Sequence, residues 1–385
     1  MSWYPVPALS VLALLIQGGT LMSLSVFLPA MAPEFGGQAG GAASAFLLAM
    51  SIANLPVGWA IDRTGARPVL SVGIILTAGG CFAAAAAQER AGLTAAMAVI
   101  GAGVGASTIV PGIAIITRLH ESRRGLALAL FLGATVVAGA LIPPFTSMAI
   151  KLWSWRTAIA SCGGAALACL PLVLLVPGGR LGPAQPSAVR AAPYGALGDS
   201  NFRRILIATI MLQLSINGIL LAAVDGLMVQ GLSQSGAVAA YSIANLLGLP
   251  ALLLGGLVAD RIGARSVLIG AALLLAVGTL ALLSLRWIGW PGVALFVLLW
   301  GVASALPGQS GSMLLAEVVE PNAFSRLLGL NTMVSSLIGS LAPLCTDQMR
   351  AVHGGYELPV LVYAALALAA SPIIALARPR GRPNS

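Results

Sequence analysis

Polar residues in this chain come in short clusters, and the intervals between clusters are apolar on every side. The stretch from Leu268 to Leu285 has neither the alternation of a barrel strand nor the single wet face of a surface helix. A helix that crosses the hydrocarbon core of a bilayer needs about 20 mainly apolar residues. In lipid the backbone must satisfy its own hydrogen bonds, so such intervals read as helices. The pattern predicts about twelve spans, each to within a few residues: α1 8–31, α2 42–61, α3 68–87, α4 93–117, α5 125–149, α6 156–176, α7 203–226, α8 236–259, α9 266–285, α10 291–317, α11 326–346 and α12 358–377. The first interval lacks a basic start and is too long for a signal core, so it is read as an uncleaved span. The expected fold class is an all-α membrane protein.

The longest polar stretch, 177–202, is rich in Pro, Gly, Ala and Arg and reads as a linker. It separates an N-terminal six-helix bundle, 1–176, from a C-terminal one, 203–385. The two bundles repeat each other. Gly58-Trp-Ala-Ile-Asp62-Arg63-Thr-Gly65-Ala-Arg67 returns 198 residues on as Gly256-Leu-Val-Ala-Asp260-Arg261-Ile-Gly263-Ala-Arg265. Pro111-Gly112 in α4 returns as Pro307-Gly308 in α10, Gly139…Pro143 in α5 as Gly339…Pro343 in α11, and Pro171 in α6 as Pro372 in α12. Four helix pairs in one register indicate parallel structural repeats, an arrangement of alternating-access carriers.

Charge sharpens the picture. Only 8% of residues are charged, against about 25% in a soluble domain. Mean hydropathy is +0.97. The net charge of +9 sits in the links rather than in a stripe, so it argues for orientation and against nucleic acid. Of the 20 Lys and Arg, the links after odd-numbered helices hold 5 (Arg90, Lys151, Arg156, Arg286, Arg350), and the other links and tail hold 15. The positive-inside rule then places both termini and the linker in the cytoplasm, with the protein in the cell's inner membrane.

The doubled loop motif resembles the signature of the major facilitator superfamily between its second and third and its eighth and ninth helices. The resemblance spans essentially the whole chain and implies the fold of two six-helix bundles. Three stretches resemble a bacterial monocarboxylate-porter-like group: Arg123-Arg124-Gly125-Leu126-Ala127, Trp155-Arg156, and Ala342-Pro343 with Asp347 and Gly355-Tyr356. That group carries a basic residue deep in α8 or α11, and these two predicted spans contain no buried Lys or Arg. The membrane-embedded Arg and the Gly-Pro-rich helix of proton-driven drug exporters are also missing. The resemblance further implies proton coupling, and latching of Asp62 and Asp260 near the starts of α11 and α5.

Candidate chemistry follows from polar groups in lipid, which are costly and usually face a cavity. Gln17 lies roughly 13 Å into the predicted α1 and Gln213 roughly 12 Å into α7. With Asn217 one turn beyond Gln213, Gln309 in α10 and Asn331 in α11, they form the candidate substrate site; the alternative is that these amides bond neighbouring helices. Asp225, near the end of α7, is the coupling candidate, or else a solvated helix-end acid. Gly58, Asp62, Arg63, Gly65, Arg67 and their copies Gly256, Asp260, Arg261, Gly263 and Arg265 form the gating motif. Pro111-Gly112 and Pro307-Gly308 are the expected helix breaks. Gly101 and Gly105 have the spacing of close helix packing. His120 and His353 read as solvated link residues. The four cysteines lie in apolar runs with no CxxC pair, and no metal is expected. With no Gly-x-x-x-x-Gly-Lys-Ser/Thr pattern, ATP is not the driver. No cofactor and no enzymatic activity are expected. The expected function is secondary transport of a small organic solute, or a weak acid, by a monomer in the bilayer. The alternatives are an exporter of apolar compounds and, from another class, a membrane enzyme or sensor.

Overall fold

The computed structural model describes residues 4–36, 39–119, 124–177, 199–319 and 321–377. The described residues contain helices and no strands. Among the described residues, twelve helical spans are long and apolar enough to cross a bilayer: α1 Pro5–Phe35, α2 Gly40–Thr64, α3 Ala66–Ala86, α4 Arg90–Thr117, α5 Arg124–Leu152, α6 Trp155–Leu175, α7 Ser200–Val229, α8 Gln234–Ile262, α9 Ala264–Ile288, α10 Trp290–Val318, α11 in two pieces, Pro321–Gly339 and Ala342–His353, and α12 Glu357–Leu376. Two compact units appear: Met1–Gln185 with Ser233–Ser242, and Pro186–Leu232 with Ile243–Ser385. The start of α8 thus groups with the first unit. Asp199 caps α7 by accepting from the Asn201 N–H at 2.8 Å. Most of the linker, Arg123, His120 and the basic tail lie outside the described residues.

In the first unit α4 lies between α2 and α3, and glycines set the spacing. A Cβ on Gly101 would fall 2.0 Å from the Phe46 carbonyl oxygen of α2, and one on Gly105 would fall 2.6 Å from that of Met50. On the other side, a Cβ on Gly103 would meet the Thr77 nitrogen of α3 at 2.4 Å. Backbone sits against backbone on both faces of α4.

Two helix breaks lie just ahead of a proline. α4 is interrupted between Ser107 and Ile109, with Thr108 at φ −116°, ψ −107°. The ring of Pro111 would clash with the carbonyl four residues back, that of Ser107, and supplies it no donor. The repeat partner behaves differently: the chain is helical through Pro307 across Gly301–Val318, and the distortion is a π-turn at Phe296–Trp300. α11 stops at Gly339 and restarts at Ala342, again four residues ahead of a proline, Pro343.

The two loop motifs fold alike. Gly65 (φ 90°) and Gly263 (φ 86°) hold the left-handed conformation that separates α2 from α3 and α8 from α9. The last arginine of each motif closes another helix. Arg67 donates to the carbonyls of Val176 (2.7 Å) and Leu174 (2.8 Å) at the end of α6. Arg265 donates to Ala375 at the end of α12. Helix C-termini carry orphan carbonyls and partial negative charge, so each arginine meets both needs. Arg63 stacks on Trp59, 4.1 Å from the ring centroid. Gly58 is helical, and Asp260 is exposed.

Gly101→Val should prevent α2 and α4 from meeting and give aggregated protein on size exclusion. Gly79→Val, where nothing lies within 4 Å of the added carbon, should leave the profile intact.

Candidate functional site

Three helices of the second unit enclose a polar hollow of about 90 Å³. α7 contributes Thr209, Leu212 and Gln213; α10 contributes Pro307, Gly308, Gly311 and Ser312; α11 contributes Asn331, Thr332, Ser335 and Ser336. The spacing on α11 puts its four polar residues on one face. None of the described lining residues is charged.

The amides are oriented by a backbone defect. Pro343 has no N–H, so the Gly339 carbonyl loses its helical donor. Asn217 Nδ2 donates to it at 3.1 Å. Asn217 Oδ1 in turn accepts from Gln213 Nε2 at 3.0 Å. Gln213 therefore lines the hollow, while Asn217 stands behind it and braces the break in α11. Thr209 Oγ1 lies 2.9 Å from both the Leu206 carbonyl and Asn331 Oδ1, and joins α7 to α11.

The other predicted amides lie elsewhere. Gln309 is next to Gly308 but turns to α8, where its Nε2 sits 3.0 Å from the place of a Gly256 Cβ. The glycine that opens the second loop motif makes room for it. Gln17 is 2% exposed in the first unit, ahead of the π-turn Gly18–Met22 of α1. Among the described residues the oxygen of each of these two amides is buried without a partner.

A charged cluster closes the far end of the second unit. Asp225 forms an ion pair with Arg350 at 3.0 Å and accepts a hydrogen bond from Tyr356 Oη. The Arg350 guanidinium lies 4.1 Å from the Tyr356 ring centroid. This corrects two expectations. Arg350 is not in a link, because α11 continues as Ala342–His353 beyond its break. Asp225 is not simply solvated, since it has two partners and its side chain is only 23% exposed. Burial, then the Asp225 charge, pushes the Tyr356 phenol well above its usual value, so it stays a donor. His353 ends the same helix and lines an outer hollow of about 770 Å³ with Arg286, Tyr356 and Glu357.

The first unit contains the same device. Glu34 at the end of α1 accepts from Trp155 Nε1 and pairs with Arg156, both at 2.7 Å. Arg156 lies 4.4 Å from the Trp155 ring and also donates to the carbonyls of Ala85 (2.8 Å) and Ala87 (2.6 Å) at the end of α3. In each unit an acid from the first helix thus meets an aromatic donor at the start of the sixth. The sequence signal was present, because Trp155 and Tyr356 stand 201 residues apart, the offset of Pro171 and Pro372. Sequence reasoning missed it because the arginine comes from α6 in one unit and α11 in the other.

The family model for the Major Facilitator Superfamily matches residues 10–343 and 205–385. The chain belongs to this superfamily. It is a multi-pass membrane transporter rather than an enzyme. It is 28% identical to monocarboxylate transporter 11 of Mus musculus, over 95% of this chain and 85% of that protein. Its fold is that of a D-xylose–proton symporter (TM-score 0.76, 18% identity, 98% of both chains). It is also that of the nucleoside transporter NupG (TM-score 0.82, 12% identity, 97% of this chain and 98% of that one). In this superfamily member the neutral hollow and the charged cluster are separate features of one unit.

Tyr356→Phe removes a hydrogen bond to a charged group, an interaction of about 1.5–3 kcal/mol. Thermal unfolding in detergent should fall accordingly. Trp287→Phe, at a side chain that is 85% exposed, should unfold like the wild type.

Proposed function

We propose that this superfamily member is a secondary transporter that moves a small organic solute across the cell's inner membrane by alternating access, with proton coupling and with both termini in the cytoplasm. The neutral polar hollow of α7, α10 and α11 carries the reading: it is a set of hydrogen-bonding groups placed inside membrane-spanning helices, where such groups are costly. The charge asymmetry of 15 basic residues to 5 supports the orientation. A relative named as a monocarboxylate transporter and a fold neighbour titled a proton symporter agree with solute and proton movement.

The hollow has no cation among its described lining residues, so a dianion would be buried there without a partner, at high cost. Tight binding of a dicarboxylate is not expected.

For coupling, the candidate acid is Asp225. Its carboxylate pairs with Arg350 and accepts from Tyr356, so removing its charge would free the guanidinium at the end of α11. Reconstituted protein should show solute counterflow without a gradient and accumulate solute when a pH gradient is imposed. Asp225→Asn should retain counterflow and lose most gradient-driven accumulation. Loss of both together, in protein that still elutes as a single species, would refute the coupling role.

A further inference from the structure

We propose that the hollow between α7, α10 and α11 takes an uncharged, hydroxylated solute, held by a solute O–H donated to Gln213 Oε1. The inference rests on the transport reading and names its substrate class. It begins at a backbone atom. The Gly339 carbonyl can only accept, so the nitrogen of Asn217 must face it at 3.1 Å. The oxygen of Asn217 then faces Gln213 at 3.0 Å, so the nitrogen of Gln213 must face back. Turning either amide over would set two acceptors against each other. The missing N–H of Pro343 thereby dictates, through two side chains, that Gln213 keeps its nitrogen for Asn217. Its oxygen has no partner among the described residues and is left to the hollow.

The hydroxyls agree with that polarity. Ser312 donates to the Gly308 carbonyl at 2.7 Å and Ser335 to that of Thr332 at 3.2 Å. The single proton of Thr209 goes to the Leu206 carbonyl or to Asn331 Oδ1. A hydroxyl whose proton is used within the protein offers only lone pairs to a ligand. The wall therefore sets fixed acceptors at Gln213, Ser312 and Ser335 beside the donors of the Asn331 amide nitrogen and the Thr332 and Ser336 hydroxyls, with no cation among its described residues, which favours an uncharged solute whose hydroxyls both donate and accept. Leu212 and the small surfaces of Gly308 and Gly311 leave an apolar strip for the carbon face of a polyol, and the modest volume suits a solute of a few carbon atoms.

The test is equilibrium binding of labelled erythritol, D-ribose and L-lactate to the purified full chain at neutral pH, beside counterflow in proteoliposomes. Erythritol or D-ribose should bind, and lactate should not. Gln213→Met, close in shape but with no acceptor oxygen, should weaken polyol binding about tenfold, since a site built around a hydroxyl loses most when one partner is removed. Asn217→Leu frees the Gln213 amide to turn and should narrow the preference for polyol over lactate. Binding of neither polyol, preferred binding of lactate, or polyol binding unchanged in Gln213→Met would overturn the substrate class. Counterflow of some other solute would in that case leave the carrier reading standing. No counterflow of any sugar, nucleoside or organic acid would overturn both.

Discussion

In lipid a backbone carbonyl without a donor has no water to turn to, and much of this structure consists of answers to that one problem. Each proline inside a span creates such a carbonyl, and each helix end exposes several. α4 gives up its helix at Thr108, three residues ahead of Pro111. α11 breaks between Gly339 and Ala342, ahead of Pro343, and Asn217 supplies a donor to the Gly339 carbonyl. Arg67, Arg265 and Arg156 reach across to the last carbonyls of α6, α12 and α3. The polar residues that look like transport chemistry in the sequence therefore divide into those that repair the backbone and those that face a hollow.

That division shapes the site. Gln213 and Asn217 sit one turn apart on α7 and are equivalent as letters. Asn217 is committed to Gly339 on one side and Gln213 on the other, while the Gln213 oxygen has no partner among the described residues and Gln213 lines the hollow. A structural repair thus sets the polarity of a recognition group. Hydrogen bonds in a poorly hydrated interior are strong but unforgiving of wrong polarity, so the fixed direction matters to whatever solute enters.

The internal repeat gives two copies of most devices, and the differences between copies are informative. Both loop motifs end in an arginine that closes the sixth helix of its own half. Both halves join an acid, an aromatic donor and an arginine at the opposite end. In the first unit Arg156 is also tied to two carbonyls of α3. In the second, Arg350 has Asp225 and the Tyr356 ring, beside a wide outer hollow. The first arginine is tied into the backbone of a neighbouring helix, and the second is held by side chains alone.

The sequence by itself determined the twelve spans, the duplication and the superfamily, because span length, hydropathy and glycine-dependent turns are local properties that recur in register. It also marked Gln213 and Asn331, since an amide in an apolar run is visible without coordinates. Tertiary structure alone decided which amides meet. Gln309 turns to Gly256 and Gln17 is buried apart from the hollow, because the face a side chain occupies depends on helix rotation and packing, which hydropathy does not encode. It also carried α11 past its break to bring Arg350 to Asp225. The polar end of that helix reads as a link, and the partners that draw it into the fold lie on α7 and at the start of α12, far away in sequence.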